Sequence, residues 1–287
     1  MKVALLGTGL MGYPMAEKLL ECGFPAIVYN RTRAKAEPLR KKGAEIAATP
    51  GAAVNSADII ILMLTDYPAI RQTLFPSGAE LDLQNRTVIH MGTILPEESR
   101  ELQRSVRRSG GDYLEAPVLG SIPNVRERRL IVMVGARQEQ FESHEKLFRC
   151  FGSEIYWVGE VGKAAAAKLA LNQLIVSLTS AFSLALGMVQ AHDIDVDVFM
   201  AILRHSAFYA PTFDKKLPRM RERSFGNPNF PVKHLLKDVD LIHAAAQSAG
   251  LNSAVLEAQR QILLAAIDMG FAEDDYSALF NAVCPLK

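Results

Sequence analysis

Cysteine is scarce in this sequence, and neither sign of charge is in clear excess. The three cysteines, Cys22, Cys150 and Cys284, form no CxxC pair and have no metal-ligand spacing. Their placement argues against a zinc module or a disulfide framework and favours a reducing compartment. Lys plus Arg (32) nearly balances Asp plus Glu (31), for a net charge of +1. That balance argues against the broad basic face of a nucleic-acid-binding protein.

Leader and membrane-anchor signals are also missing by our criteria. We expect no segment that meets the roughly 18 apolar, uncharged residues of a membrane span. The apolar N-terminus is interrupted by Gly7, Gly9 and Gly12, and Glu17 and Lys18 follow. It therefore lacks the long apolar region of a signal peptide. The expectation is a cytoplasmic protein with neither a membrane nor a nucleic-acid partner.

Length and composition indicate an ordinary folded protein of two domains. The chain has 287 residues, and domains average about 100–200 residues. Hydrophobic residues make up 49% and charged residues 22%, far from the composition of a disordered chain.

The first half alternates short β-branched runs with helix-like stretches. This alternation predicts βαβ units and a parallel sheet covered on both faces. The predicted strands are Val3–Leu6, Ala26–Tyr29, Ile59–Leu64, Thr87–His90, Leu130–Val134 and Ile155–Val158, and the predicted helices are Met11–Glu21, Ala34–Lys41 and Glu97–Arg108.

The second half has an all-helical pattern. Residues Ala164–Gln190 are rich in Ala, Leu, Ile and Val and predict one long buried helix that opens at Gly162 and serves as hinge and common wall. Further helical segments are predicted at Val196–Arg204, Val232–Ala249 and Ala254–Met269. We therefore expect a doubly wound, Rossmann-type domain over residues 1–160 and an all-α domain over residues 161–287.

A GxGxxG pattern, Gly7-Thr-Gly9-Leu-Met-Gly12, follows the first predicted strand and precedes a helix. Such glycines provide a tight turn, close approach of the backbone to a pyrophosphate and close helix–strand packing. The amides and partial positive charge of the helix start then hold the phosphates. The context predicts dinucleotide binding.

The residues after the second strand indicate which dinucleotide. NAD-binding proteins carry an acid about 20 residues beyond the glycine loop. Here the sequence is Asn30-Arg31-Thr32-Arg33, which offers cationic and polar groups suited to a 2′-phosphate. The alternative is that the arginines merely solvate a helix start. We predict NADP(H).

Lys168 is the only charged residue in the run 164–190. A lysine in an apolar helix is costly unless it extends to solvent or has a function. Asn172 is one turn further on the same face, and burial would lower the lysine pKa to suit proton delivery to a carbonyl oxygen. Lys163, about 140° away around the helix, is not a candidate.

Four ordered motifs resemble the β-hydroxyacid dehydrogenases related to 3-hydroxyisobutyrate dehydrogenase, over essentially the whole chain. They are the glycine signature ending in Met15-Ala16, the segment Glu115-Ala-Pro-Val-Leu-Gly-Ser121, the helix Gly162-x5-Lys168-x3-Asn172, and Lys237-Asp238. Asn30-Arg31-Thr32 and the Gly-Ser end of the 115–121 segment most resemble the glyoxylate and succinic semialdehyde reductases. Two positions depart from the family pattern: Glu115 replaces an aspartate and Leu119 a serine.

The resemblance implies roles for individual residues. Lys168 and Asn172 would be catalytic. Cofactor contacts would come from Gly7, Thr8, Gly9, Leu10, Met11, Gly12, Asn30, Arg31, Thr32, Met63, Leu64, Thr93 and Lys237. Substrate contacts would come from Leu119, Gly120, Ser121, Phe230 and Asp238. Loss of the serine at Leu119 removes one donor for a substrate carboxylate and permits a less polar substrate. No metal ligands are implied.

The resulting hypothesis is an NADPH-dependent reductase of a short aldehyde-acid, with Lys168 as general acid. Alternatives are a 3-hydroxyacid dehydrogenase, an imine reductase on the same scaffold, and a non-catalytic nucleotide-binding scaffold. The presence of Lys168 disfavours the last two, whose known examples generally lack this lysine. The apolar helical half further suggests a homodimer or homotetramer.

Overall fold

The computed structural model describes residues 1–76 and 81–285. By compactness the chain divides into two units, Met1–Lys168 and Leu169–Lys287. The first unit contains a sheet and its covering helices, and the second is helical among its described residues. The predicted fold class, a Rossmann-type sheet domain followed by a helical domain with a long helix at their junction, is confirmed. The predicted boundary at residue 160 precedes this helix, whereas the compact units divide within it.

The first unit is built on a sheet that has nine strands among the described residues, in the order β3-β2-β1-β4-β5-β6-β8-β7, with β9 beside β8. Strands β1 to β6 pair in parallel, while β8 runs antiparallel to β6 and β7. The sheet is therefore mixed at one end and not wholly parallel. The strands are Val3–Leu6 (β1), Ala26–Tyr29 (β2), Glu45–Ile46 (β3), Ile59–Leu62 (β4), Thr87–His90 (β5), Asp112–Glu115 (β6), Val118–Leu119 (β7), Ile131–Gly135 (β8) and Glu154–Gly159 (β9).

Helices cover both faces of this sheet. Two buried apolar clusters, one centred on Leu5 and Ile61 and the other on Leu6 and Ile60, reflect the alternation of side chains along β1 and β4. The helices are Gly12–Glu21 (α1), Pro50–Asn55 (α2), Tyr67–Leu74 (α3), Pro96–Arg108 (α4), Ile122–Arg126 (α5) and Gln138–Phe148 (α6). The helix predicted at 34–41 is wrong in kind: Arg33–Lys35 and Glu37–Lys42 are 3₁₀ turns, and the second contains Pro38.

The second unit packs its helices around Leu186, Met200, Leu235 and Leu263. The helices from the junction onward are Lys163–Ala191 (α7), Val196–Arg204 (α8), Pro211–Glu222 (α9), Val232–Ser248 (α10), Ala254–Asp268 (α11) and Leu279–Val283 (α12). Helix α9 carries Pro218 in its interior and was not predicted.

Helix α7 corrects two expectations. It is buried along one face only, because Leu174, Leu184 and Met188 are 50–58% exposed. Among the described residues it is also the one helix long and apolar enough to cross a membrane by length and composition, so the expectation that no segment meets this test is wrong. The test is weak evidence for a span, because the core helix of a soluble protein also passes it. Buried polar side chains, among them Asn172, Thr179 and Ser183, lie along its packed face.

Candidate active site

The glycine loop joins β1 to α1 through very close backbone contacts. Gly7 has φ +104°, and a Cβ there would lie 2.2 Å from the carbonyl oxygen of Met63. A Cβ at Gly12 would lie 1.8 Å from the carbonyl oxygen of Gly7. By contrast, a Cβ at Gly9 would meet nothing within 4 Å. Gly7 and Gly12 therefore serve the turn and its packing, and Gly9 leaves open space above the start of α1.

Thr8 offers a hydroxyl with no partner in this open loop. Thr8 is 3% exposed, and its Oγ1 has no hydrogen bond. A buried polar atom without a partner is uncommon in folded proteins. The unpartnered hydroxyl and the space at Gly9 fit a bound dinucleotide phosphate. Leu10 is exposed and Met11 half-buried at the same loop.

The end of β2 contacts the glycine loop through Asn30. Its Oδ1 accepts from the Thr8 backbone N–H at 3.0 Å, and its Nδ2 donates to the Thr32 carbonyl at 2.9 Å. Asn30 thus holds the loop and retains one amide proton for a ligand. Arg31 is exposed and has no ion pair among the described residues, whereas Arg33 lies 3.3 Å from Glu37. Of the two arginines, Arg31 is the one without a competing carboxylate.

Three further predicted cofactor residues follow neighbouring parallel strands. Met63 and Leu64 come directly after β4, and Thr93 lies in the loop after β5. Because β1, β4 and β5 are adjacent and parallel, their carboxyl ends meet at one edge of the sheet. The structure therefore brings the glycine loop and these three residues together at one edge.

The proposed catalytic pair lies on α7. Lys168 is half-buried, less enclosed than the sequence predicted, and Asn172 is 2% exposed one turn further. In the helical unit, Asn172 Nδ2 donates to Asp238 Oδ2 at 2.6 Å, and Asp238 Oδ1 lies 2.9 Å from Lys237 Nζ. Asn172 Oδ1 is buried and has no hydrogen bond. Asn172 and the Lys237-Asp238 motif thus meet at the Asp238 carboxylate, through one hydrogen bond and one ion pair.

Segment 115–121 holds the predicted substrate residues. Leu119 ends β7, and Gly120 adopts φ +137°, where a Cβ would lie 2.6 Å from Leu130. Ser121 N and Oγ both donate to Asn124 Oδ1, at 2.9 and 3.1 Å. The Ser121 hydroxyl is thus directed at its own turn, and a substrate carboxylate would have to draw it away.

Phe230 lies just before α10, the helix that carries Lys237 and Asp238. Its ring stacks on His234 with centroids 6.4 Å apart and meets Tyr276 edge-on at 5.8 Å. Its carbonyl accepts from Tyr276 N at 2.9 Å. Phe230 is therefore fixed at the start of α10.

Glu115 has a structural connection that spacing in the sequence did not reveal. Its side chain is 0% exposed and accepts hydrogen bonds from the first turn of α7. Burial raises the pKa of this carboxyl group, and hydrogen bonds from Ser99 and the backbone oppose the rise. The replacement of aspartate at this position was the only sequence signal.

No group of three or more His, Cys, Asp or Glu side chains that could hold a metal ion occurs within residues 1–76 and 81–285. The cysteines are unbridged, and the Cys150 thiol, whose pKa burial raises to about 12, lies against Cys22.

Comparison with known proteins identifies the family to which the sequence is similar. Residues 2–159 match the NAD binding domain of 6-phosphogluconate dehydrogenase, and residues 162–283 match the NAD-binding of NADP-dependent 3-hydroxyisobutyrate dehydrogenase. Glyoxylate/succinic semialdehyde reductase 1 of Arabidopsis thaliana is 30% identical over 285 residues, covering 99% of this chain and 98% of the relative. The 2-hydroxy-3-oxopropionate reductase of Escherichia coli is 32% identical, covering 99% and 97%.

A solved structure supports the fold independently. The 3-hydroxyisobutyrate dehydrogenase from Salmonella typhimurium matches with a TM-score of 0.86 at 19% identity, covering 98% of this chain and 99% of that one. The two family matches and the full-length relatives show that the chain belongs to the β-hydroxyacid dehydrogenases, oxidoreductases that use a nicotinamide cofactor and include 3-hydroxyisobutyrate dehydrogenase.

Proposed function

We propose that this protein is an NADPH-dependent reductase of a short aldehyde-acid, of the glyoxylate or succinic semialdehyde type. The observation that carries the proposal is the arrangement on α7: the half-buried Lys168 lies one turn before Asn172, whose buried Oδ1 has no hydrogen bond. The names of the relatives from Arabidopsis and E. coli support the substrate class, since each describes reduction of such a compound.

The residues around the glycine loop fit NADPH. When bound, the cofactor supplies a hydride to the carbonyl carbon. The Thr8 hydroxyl and the open space at Gly9 suit its phosphates, and exposed Arg31 suits a 2′-phosphate because no acid competes for it among the described residues. Asn30 keeps the loop in shape through its bond to Thr8. Met63, Leu64 and Thr93 are the candidates for contacts at the ends of β4 and β5, and Lys237 is a candidate by resemblance.

Lys168 supplies the proton. As the carbonyl carbon accepts the hydride, negative charge develops on the oxygen, and an ammonium group within reach stabilises that charge and donates a proton from Nζ. The neutral amine then regains a proton from solvent. In the oxidative direction the same amine accepts the hydroxyl proton. Asn172, held by Asp238, presents its free Oδ1 to orient the ammonium or the substrate hydroxyl.

The substrate's acid end is assigned to segment 115–121, through the backbone amides of Leu119 and Gly120 and the Ser121 hydroxyl. Because Leu119 adds apolar surface and Ser121 is directed at Asn124, we expect weaker selection for a carboxylate than a serine at 119 would give. This arrangement accommodates a longer, less polar chain between aldehyde and acid. Phe230 and Asp238 are assigned to the substrate by resemblance.

We also propose that the protein is cytoplasmic and forms a homodimer or homotetramer, with domains near residues 1–160 and 161–287. The exposed apolar side chains of the helical unit, including Met188 and Ile202 at 58% and 67%, support association.

The test is an NADPH-consumption screen on the purified protein. Glyoxylate, succinic semialdehyde and a cyclic imine are each offered with NADPH, and 3-hydroxyisobutyrate is offered with NADP⁺, in which case formation of NADPH is followed instead. We expect turnover of at least one aldehyde-acid and none of the imine. Turnover of the imine alone, or of 3-hydroxyisobutyrate alone, would replace the proposal with the corresponding alternative, and a chain that binds NADPH without any turnover would be a scaffold.

A further inference from the structure

Helix α7 begins without a capping side chain of its own. Its first residue is Lys163, and the residue before it, Gly162, has no side chain and adopts φ +100°. The first amides of a helix have no partner within the helix, and a side-chain oxygen usually accepts from one of them. A positive Lys163 at this end is also unfavourable for the helix dipole.

A carboxylate distant in the sequence supplies this cap. Glu115 Oε1 accepts from the backbone N–H of Gly162 at 2.8 Å and of Ala165 at 3.0 Å. The two contacts join residues 47 and 50 positions apart. Glu115 ends β6 and opens segment 115–121, so one side chain connects the start of that segment with the start of α7.

Glu115 is itself held by a buried hydroxyl chain. Ser99 Oγ donates to Glu115 Oε2, and Tyr113 Oη lies 2.9 Å from Ser99 Oγ. Because the Ser99 proton is directed at Glu115, the Tyr113 hydroxyl is the donor to Ser99. All three side chains are 0% exposed. These hydrogen bonds and the surrounding burial therefore hold the Glu115 side chain in one rotamer.

The neighbouring backbone is shaped around this glutamate. A Cβ at Gly135 would lie 2.4 Å from Glu115 Oε1 and 2.6 Å from its Cγ. Gly135 has an ordinary backbone conformation that does not itself require glycine, since it is absent from the positive-φ residues. The close approach of Glu115 is thus the reason that this position needs a residue without a Cβ.

Burial penalises the charged form of the Glu115 carboxyl group in the folded protein. Burial raises the pKa of the carboxyl group, so the folded protein binds its proton more tightly than the unfolded chain does. The protonated carboxyl group therefore adds to the stability of the folded protein at pH values below the unfolded pKa. This contribution is lost as pH rises through the folded pKa. A neutral side chain of the same shape would avoid this cost, which points to a role in positioning more than in stability.

We propose that Glu115 is a positioning residue for Lys168. It fixes the first turn of α7, and Lys168 follows Ala165 by three residues on that rigid helix. Because segment 115–121 begins at the same residue, Glu115 also fixes the position of Lys168 relative to the predicted substrate residues of that segment. This inference rests on the proposed reductase function. A displacement of about 1 Å can cost on the order of a hundredfold in rate.

The first test compares Glu115→Ala and Glu115→Gln with wild type and with Glu139→Ala, an exposed carboxylate in the first turn of α6. Glu115→Ala should lower kcat for the aldehyde-acid about 10- to 100-fold while the Kd for NADPH stays within twofold. Glu115→Gln retains an acceptor for both amides, so it should recover most of that loss, and its Tm should not fall. A kcat within twofold of wild type for Glu115→Ala, or a parallel loss of Tm and NADPH binding, would overturn the inference.

The second test does not depend on turnover. Hydrogen exchange of residues 162–168 should accelerate in Glu115→Ala and stay unchanged in Glu139→Ala. Gly135→Ala should accelerate it in the wild-type background and have little further effect in the Glu115→Ala background, because the three atoms nearest to the added Cβ all belong to the Glu115 side chain beyond its Cβ. Unchanged exchange in Glu115→Ala would overturn the inference. A wild type with no reductase activity would refute the proposed function, while the exchange data would still decide whether Glu115 holds α7.

Discussion

The two units of this protein use their buried polar groups differently. In the sheet unit, close backbone contacts at glycines shape the loops, and the buried Glu115 accepts from two backbone amides as well as from Ser99 Oγ. In the helical unit, side chains bind side chains: Asn172 binds Asp238, and Lys216 binds Asp275. Most of the large apolar side chains that are exposed among the described residues also belong to the helical unit. The comparison indicates that backbone groups carry more of the buried polar contacts described for the sheet unit, and side chains more of those described for the helical unit.

Lys168→Ala should have the largest effect and tests where the chemistry resides. General-acid assistance is typically worth about 10²–10⁴-fold, so kcat should fall by that factor. The folded state and NADPH binding should persist, because the cofactor residues of the sheet unit are unchanged. Steady-state kinetics and fluorescence titration measure both. Lys163→Ala, at the exposed start of α7, is the matched control and should cost little; equal losses in the two variants would contradict the assignment.

Lys216→Met should have the next largest effect and acts on stability. Lys216 is 4% exposed, and its Nζ lies 2.6 and 2.9 Å from the oxygens of fully buried Asp275. Removing one partner leaves a buried charge, which typically costs about 3–5 kcal/mol. Urea unfolding would measure this loss. Lys233→Met, which breaks the exposed pair with Glu273 in the same unit, should cost at most about 1 kcal/mol. Similar losses would remove the distinction between buried and exposed pairs.

Arg31→Ala tests the cofactor specificity of the sheet unit. We expect wild type to prefer NADPH over NADH by at least about tenfold in kcat/KM, or about 1.4 kcal/mol, and the variant to lose most of that preference. Arg33→Ala is the control, because Arg33 is already near Glu37 and should contribute less. A wild type that uses both cofactors equally would contradict the assignment.

Ile202→Glu should have the smallest effect on folding and tests the apolar surface of the helical unit. Ile202 is 67% exposed, so its replacement should change the free energy of unfolding of one subunit by no more than about 0.5 kcal/mol. If the helical unit associates through this surface, sedimentation velocity should show a shift toward smaller species. The exposed Tyr156→Glu in the sheet unit should leave the species distribution unchanged, and an unchanged distribution in both variants would argue against this surface.

Elements with a strong local pattern were predictable from the sequence. The strands Val3–Leu6, Ala26–Tyr29 and Thr87–His90 and the helix Val196–Arg204 have the bounds that their apolar patterns indicate. Helices α6 and α9 were missed because α6 is largely polar and α9 is polar and contains Pro218. Their stability comes from tertiary packing, which local pattern does not report.

Connections across long sequence separations were not predictable in the same way. The pair Lys216–Asp275 joins residues 59 apart, and Asn172 reaches Asp238 over 66 residues. The individual residues Asn172, Asp238 and Lys237 were candidates, but only the structure shows that they bind one another. The same holds for Glu115, whose role as a cap of α7 depends on a glycine in another strand.

The central claim, hydride transfer to the carbonyl of an aldehyde-acid, is tested most directly by isotope transfer. NADPH carrying deuterium at the transferred position is mixed with the purified protein and the aldehyde-acid on which it is most active. Mass spectrometry should find one deuterium on the carbinol carbon of the hydroxyacid product, formed at the rate of NADPH oxidation in wild type and at the much lower rate in Lys168→Ala. A hydroxyacid without deuterium, or NADPH oxidation without hydroxyacid, would contradict the account.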